Sequence, residues 1–183
     1  VGNAMDERAL TGVTVILPDA RAVAGVDVRG AAPGTRETDL LDPTCHMDAV
    51  DAICLSGGSV FGLQAADGVV QWLAGRNRGF AIAGWHVPIV PGAIIFDLIS
   101  GDKDWGAEPP YRRLAAAACA AAATDFPLGN VGAGLGARAG RLKGGLGSAS
   151  ALAADGTQVG ALAVANPVGS VTMPGSGTFW AWA

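Results

Sequence analysis

Residues Ala161–Met173, ALAVANPVGSVTM, bring a carboxamide to the end of an apolar run. The small and β-branched residues of that run suit a buried strand. Asn166-Pro167 then stops it, because the proline ring pushes the residue before it out of the helical region. Taken alone, Asn166 reads as a turn cap; its place where a strand gives way to a loop also makes it a candidate for chemistry. A second candidate is Ser56-Gly57-Gly58-Ser59, between a strand-like stretch, Asp48–Leu55, and a helical pattern from Val60 to Ala74. A strand, a glycine-rich turn and a helix together present backbone N–H groups, here around Gly58 and Ser59, to an anion or a carbonyl oxygen. The same turn also arises wherever a helix and a strand must approach closely.

Much familiar chemistry is missing. The chain has two histidines, His46 and His86, in unrelated contexts, and no Gly-x-Ser-x-Gly elbow for a hydrolase triad. There is no phosphate-binding P-loop. Cys45-His46 with Cys54 lacks the paired spacing of a metal site, so no metal and no cofactor is expected. An enzyme built on this chain activates its nucleophile without histidine, or carries that nucleophile elsewhere.

The elements that would position these groups are legible by pattern. Gly12–Leu17 is a β-branched run closed by Pro18, and Val23–Val28 alternates enough to be its hairpin partner. Residues 29–41 read as a loop turning into a short helix or an extended arm. Thr35, Arg36, Glu37 and Asp39 concentrate polarity there, as a solvated loop or as an ion-pair network bracing the sheet. Phe80–Ile95 mixes strand propensity with prolines and ends in a strand, AIIFDLI. Tyr111–Thr124, rich in alanine and preceded by Pro109-Pro110, predicts the clearest helix. Gly132-x-Gly134-x-x-Ala137 loosely matches a dinucleotide fingerprint, but no strand leads into it and no helix follows. It reads as an irregular loop entering a strand, with Asp155-Gly156 turning that strand back as a hairpin. The closing PGSGTFWAWA is strand-like.

The bulk numbers bound the rest. A chain of 183 residues, half apolar, 15% charged and holding 28 glycines fits one domain, residues 1–183, with many tight turns. A net charge of −4 and only 12 basic residues argue against a nucleic-acid partner. No uninterrupted apolar stretch is long enough to span a membrane. The first residues lack a basic start and an apolar core, so no signal peptide is expected, although the chain does not open with Met. Three scattered cysteines favour a reducing compartment, hence the cytoplasm.

Four segments in series carry a resemblance. They are Thr11–Pro43, Asp51–Val69 with DAICLSGGSVFGLQAADGV, Asn130–Ser150 with NVGAGLGARAGRLKGGLGSAS, and Val164–Val171 with VANPVGSV. Together they resemble the α-chain region of the L-aminopeptidase/D-amidase/D-esterase family, which includes β-peptidyl aminopeptidases and a nylon-oligomer hydrolase. The resemblance implies an α/β fold, an αββα four-layer sandwich completed by a β chain. It also implies a precursor that cleaves itself before a Ser or Thr. That residue then starts the β chain and attacks an amide, with its own α-amine as base. The chain stops before any such cleavage site, so it is expected to be the α subunit, the nucleophile lying on the partner chain and the αβ units forming a homo-oligomer. The substrate would be a small peptide or amide.

Residue by residue, the resemblance makes Asn166 the amide that helps hold the oxyanion. Phe61 stands where the nylon hydrolase has a tyrosine in its pocket, so an apolar wall replaces a phenolic donor. Arg141 aligns with a lysine of that relative, and Lys143 is the alternative if the alignment slips. Arg141 stays charged, which excludes a role needing a neutral amine; Lys143 alone reads equally as a solvent-facing charge beside a glycine turn. Gly58 and Ser59 complete the expected substrate-binding set. Two other readings stay open: an acyl transferase of the ornithine acetyltransferase type, and a non-catalytic small-molecule-binding scaffold.

Overall fold

The computed structural model describes residues 1–181. In chain order the strands are β1 (Gly2–Asp6), β2 (Thr11–Ile16), β3 (Thr35–Arg36), β4 (Ile53–Ser56), β5 (Phe80–Ile82), β6 (Trp85–Val87) and β7 (Gly92–Ile94). After them come β8 (Arg138–Ala139), β9 (Leu142–Lys143), β10 (Leu146–Leu152) and β11 (Gln158–Val164). The helices are α1 (Ala65–Ala74), entered through a 3-10 turn over Ser59–Gln64, and α2 (Tyr111–Ala120). A mixed sheet of order β1-β2-β4-β7-β3 is the platform, with β4 and β7 parallel.

β2 lies inside this sheet, and its alternation decides what covers each face. Val13 and Val15 point under the helices, where they pack with Val69, Leu73, Leu114 and Tyr111. Thr14 points the other way, and its Oγ1 accepts the Ala133 N–H at 3.0 Å. The alanines of α2 let α1 come close: a Cβ added at Gly68 would sit 2.3 Å from the Arg112 carbonyl oxygen. Burying these small and branched side chains against the sheet is the main favourable term of the fold.

The expected partnership of Gly12–Leu17 with Val23–Val28 is overturned. β1 takes that edge, pairing Gly2 with Val15 through Asp6 with Thr11, while β4 takes the other. With both edges occupied, only Ala22 bridges, to Val50, and Val23 is left 88% exposed. The strand expected over Asp48–Leu55 starts only at Ile53. Asp51 precedes it as a buried carboxylate accepting the Ile89 N–H at 2.9 Å. The helix expected to reach Thr124 ends at Ala120, because Ala123 exchanges two hydrogen bonds with Val1 and is drawn off the helical path. α1 stops at Gly75 as expected, but Gly75 keeps helical angles and the left-handed reversal falls on Asn77.

The polar concentration at residues 35–39 braces the sheet. Arg36 pairs with Asp67 of α1, and Arg112 of α2 donates to the same carboxylate at 2.8 Å. Glu37 accepts the Val90 N–H at 3.2 Å. Burial pushes the Asp67 carboxyl up, but hydrogen bonds from the two guanidinium groups and their charges prevail and hold it below the usual carboxylate range.

The Asp155-Gly156 turn does join β10 and β11 as an antiparallel hairpin. The run at Ala161, expected to be buried, is largely exposed. β11 pairs only with β10, and among the described residues no second sheet covers the pair. At the chain end Thr172 bridges Phe179, and Trp182 and Ala183, the last residues of the expected terminal strand, lie outside the described residues. No helix among the described residues is long and apolar enough to cross a membrane.

Candidate active site

Asn166 leaves β11 two residues after its last paired position and reaches the end of β7. Its Oδ1 accepts the Phe96 N–H at 2.9 Å, and its Nδ2 donates to the Ile94 carbonyl at 3.3 Å. A backbone donor and a backbone acceptor therefore fix which way the amide faces. One Nδ2 hydrogen is used in this clamp, and the second has no acceptor among the described residues. The carboxamide stands on the wall between two cavities. One, of about 360 Å³, lies between the loop at residues 24–35 and the sheet, with mostly apolar walls including Val26, Leu55 and Ile94. The other, of about 740 Å³, is bordered by Ser59, Phe96, Ile99, Arg138 and Pro167.

The glycine-rich turn reaches this second cavity only through Ser59. Gly57 N–H donates to Gly12, Gly58 N–H to the Asp97 carboxylate at 2.8 Å, and Ser59 N–H to Ile95. All three amides have protein acceptors, so the turn is not an open anion cradle. Gly58 is needed for shape: its φ is +86°, and a Cβ there would meet the Tyr111 ring at 2.1 Å. Ser59 keeps a left-handed φ of +53° without being glycine, a costly conformation that concentrates at functional sites.

Asp97 is the group that sequence reasoning missed. It is fully buried and accepts the Thr11 hydroxyl at 2.6 Å as well as Gly58 N–H, with the Lys103 ammonium 3.5 Å away. Burial lowers the Lys103 pKa, against the opposing pull of Asp97. Tyr111 hydroxyl lies 3.2 Å from Thr11 Oγ1. An acidic residue one step after Phe96 was the only available signal, and its partners lie 39 and 86 positions away. Asp97 anchors the main chain that orients Asn166.

Phe61 is half-exposed and packs edge-on against Trp105, which in turn packs edge-on against Tyr111. It does not border the Asn166 cavity. Arg141 and Lys143 border a neighbouring cavity of about 300 Å³, and Arg138 and Ile99 belong to the walls of both. The structure thus brings Asn166 together with Ser59, sets Arg141 and Lys143 next door, and leaves Gly58 and Phe61 as supports. Cys45 is exposed and its thiol donates to Asp39, whereas Cys54 is buried under the helices. Burial pushes the Cys54 thiol up to about 12 and Cys119 to about 11, so neither is a poised nucleophile.

These features fall within one family. The model of peptidase family S58 matches residues 1–182, and the chain belongs to that family. The chain is 54% identical over 169 residues to an uncharacterized aminopeptidase of Mycobacterium tuberculosis strain H37Rv, covering 92% of this chain and 48% of that protein. It is 37% identical over 146 residues to a 6-aminohexanoate-oligomer endohydrolase of Kocuria sp. strain KY2, covering 78% of this chain and 37% of the relative. The chain thus spans about half the length, or less, of these curated relatives. Among solved structures, a Pyrococcus horikoshii OT3 protein superposes with a TM-score of 0.72 at 25% identity, covering 93% of this chain and 49% of its own. A Burkholderia sp. beta-aminopeptidase is similar in fold, with a TM-score of 0.69 at 24% identity and coverage of 93% and 55%.

Proposed function

We propose that this chain is the α part of an amide hydrolase of the aminopeptidase or amidase type, acting through an acyl-enzyme on a Ser or Thr of a β part. The single observation that carries the reading is the Asn166 carboxamide, locked by Ile94 and Phe96 on the wall between two cavities. An amide substrate lying across that wall places its carbonyl oxygen at the second Nδ2 hydrogen, with one portion in each cavity. As the nucleophile adds, negative charge grows on that oxygen, and a donor already in place stabilises it without reorganising.

The uncovered β10–β11 hairpin supports a second half. Leu152 is 69% exposed and Val159 61%, in strands that no other sheet covers among the described residues. Apolar strand faces of this kind are normally buried against a partner. In this reading a β part supplies the missing strands, completes an αββα sandwich and brings the nucleophile, whose own α-amine takes its proton. The αβ units then assemble into a homo-oligomer.

The test is intact mass spectrometry and N-terminal sequencing of the purified full-length protein, followed by assay on short peptides and amino-acid amides. Two fragments, the second beginning with Ser or Thr, together with amide hydrolysis, are expected. A single uncleaved chain without hydrolytic activity overturns the reading.

A further inference from the structure

Every basic side chain of this protein outside one hairpin has a partner. Arg8, Arg21, Arg29, Arg36, Lys103, Arg112 and Arg113 pair with carboxylates. Arg76 lies over the Trp72 ring and Arg78 donates to the Pro18 carbonyl. Arg138, Arg141 and Lys143 alone make neither an ion pair nor a side-chain hydrogen bond among the described residues, and all three lie on the β8–β9 hairpin. The register sets Arg138 directly opposite Lys143. Like charges facing each other across a strand pair destabilise it, and the two-residue strands here have little pairing to offset the cost. An anion between them removes the penalty.

Arg138 is also placed for a ligand. It borders both the Asn166 cavity and the neighbouring one that holds Arg141 and Lys143. The other arginine of the Asn166 cavity, Arg29, is already bonded to Asp27 at 2.5 Å. We propose that Arg138, backed by Lys143, binds a free carboxylate on the portion of the substrate that occupies the larger cavity. The site would then favour short amide substrates ending in a carboxylate over the same amides with a neutral end. A guanidinium suits this task because its planar fork matches a carboxylate with two parallel hydrogen bonds. The inference rests on the amide-hydrolase reading and adds the substrate class.

The experiment uses the full-length, processed protein and two substrates that differ only at one end, a dipeptide with a free C-terminal carboxylate and its C-terminal carboxamide. The wild type is expected to favour the carboxylate in kcat/KM. Arg138→Gln is expected to reduce that preference by about 10- to 100-fold, the worth of a charge-assisted hydrogen bond, and Arg138→Lys to restore part of it. Equal kcat/KM for the two substrates in the wild type overturns the subsite while leaving the hydrolase reading intact. Hydrolysis of neither substrate overturns that reading itself. If Arg138→Gln lowers both activities equally and lowers Tm, the arginine pairs with a carboxylate of the other half of the protein, and the subsite is again overturned.

Discussion

The Asn166 Oδ1 accepts the Phe96 N–H at 2.9 Å, which joins the end of β11 to the end of β7 across 70 positions of sequence. With the Ile94 carbonyl taking one Nδ2 hydrogen, the amide has a single satisfactory orientation. Asn166→Ala is expected to lower turnover at least about 100-fold in the processed protein, the scale of one lost oxyanion donor. Asn166→Asp should be at least as damaging, since a carboxylate beside the Ile94 carbonyl donates nothing. Unchanged turnover in a folded, processed Asn166→Ala protein would sink the assignment.

The buried Asp97 carboxylate and the partly buried Lys103 ammonium form a charged pair beneath the Gly58 turn. Removing one charge leaves the other in a poorly solvated site, so Asp97→Ala is expected to cost about 3–5 kcal/mol in urea unfolding. The double variant Asp97→Leu, Lys103→Met should recover only the part of that loss that comes from the stranded charge, because Gly58 N–H and the Thr11 hydroxyl still lack their acceptor. Equal destabilisation by the single and double variants would show that the pair is not the source.

Gly58→Ala places a methyl group against the Tyr111 ring at a left-handed φ. The strained backbone and the overpacking together are expected to cost about 2–4 kcal/mol. Gly25 has open space around its Cβ position and no positive φ, so Gly25→Ala should stay within about 0.5 kcal/mol of wild type. Thermal melts of the two variants side by side make the comparison.

The Arg36–Asp67–Arg112 group links the sheet to both helices. The Asp67 carboxyl is held below its ordinary value of 3.8, so its contribution to stability is complete above that pH and is lost as pH falls through the lowered folded value. Wild type should therefore lose more stability than Asp67→Asn as the pH is taken from 5 to below 3.8. Parallel pH profiles of the two would refute the linkage.

Native alkylation with iodoacetamide is expected to label Cys45 alone, because Cys54 and Cys119 are buried and their thiols are held protonated. All three should label in denaturant. Rapid native labelling of Cys54, read by peptide mass spectrometry, would contradict the packing of β4 under the helices.

What the sequence determined by itself was local. The β-branched run of β2, the helical spacing of α1, the alanine-rich start of α2 and the Asp155-Gly156 turn are patterns of period 2, period 3.6 or a fixed dipeptide. Each is set within a window of about a dozen residues. The strand-end Asn166 was legible for the same reason, since Pro167 follows it. The tertiary structure decided which edges meet: β1 displaced Val23–Val28 beside β2, and β11 stayed open where a buried strand was expected. It also decided that Phe96 orients Asn166, that Asp97 anchors Phe96, and that Arg138 rather than Phe61 borders the cavity. These relationships depend on segments from 39 to 86 positions apart closing onto one another, and that closure is chosen by packing and hydrogen-bond satisfaction across the whole core, which no local pattern encodes.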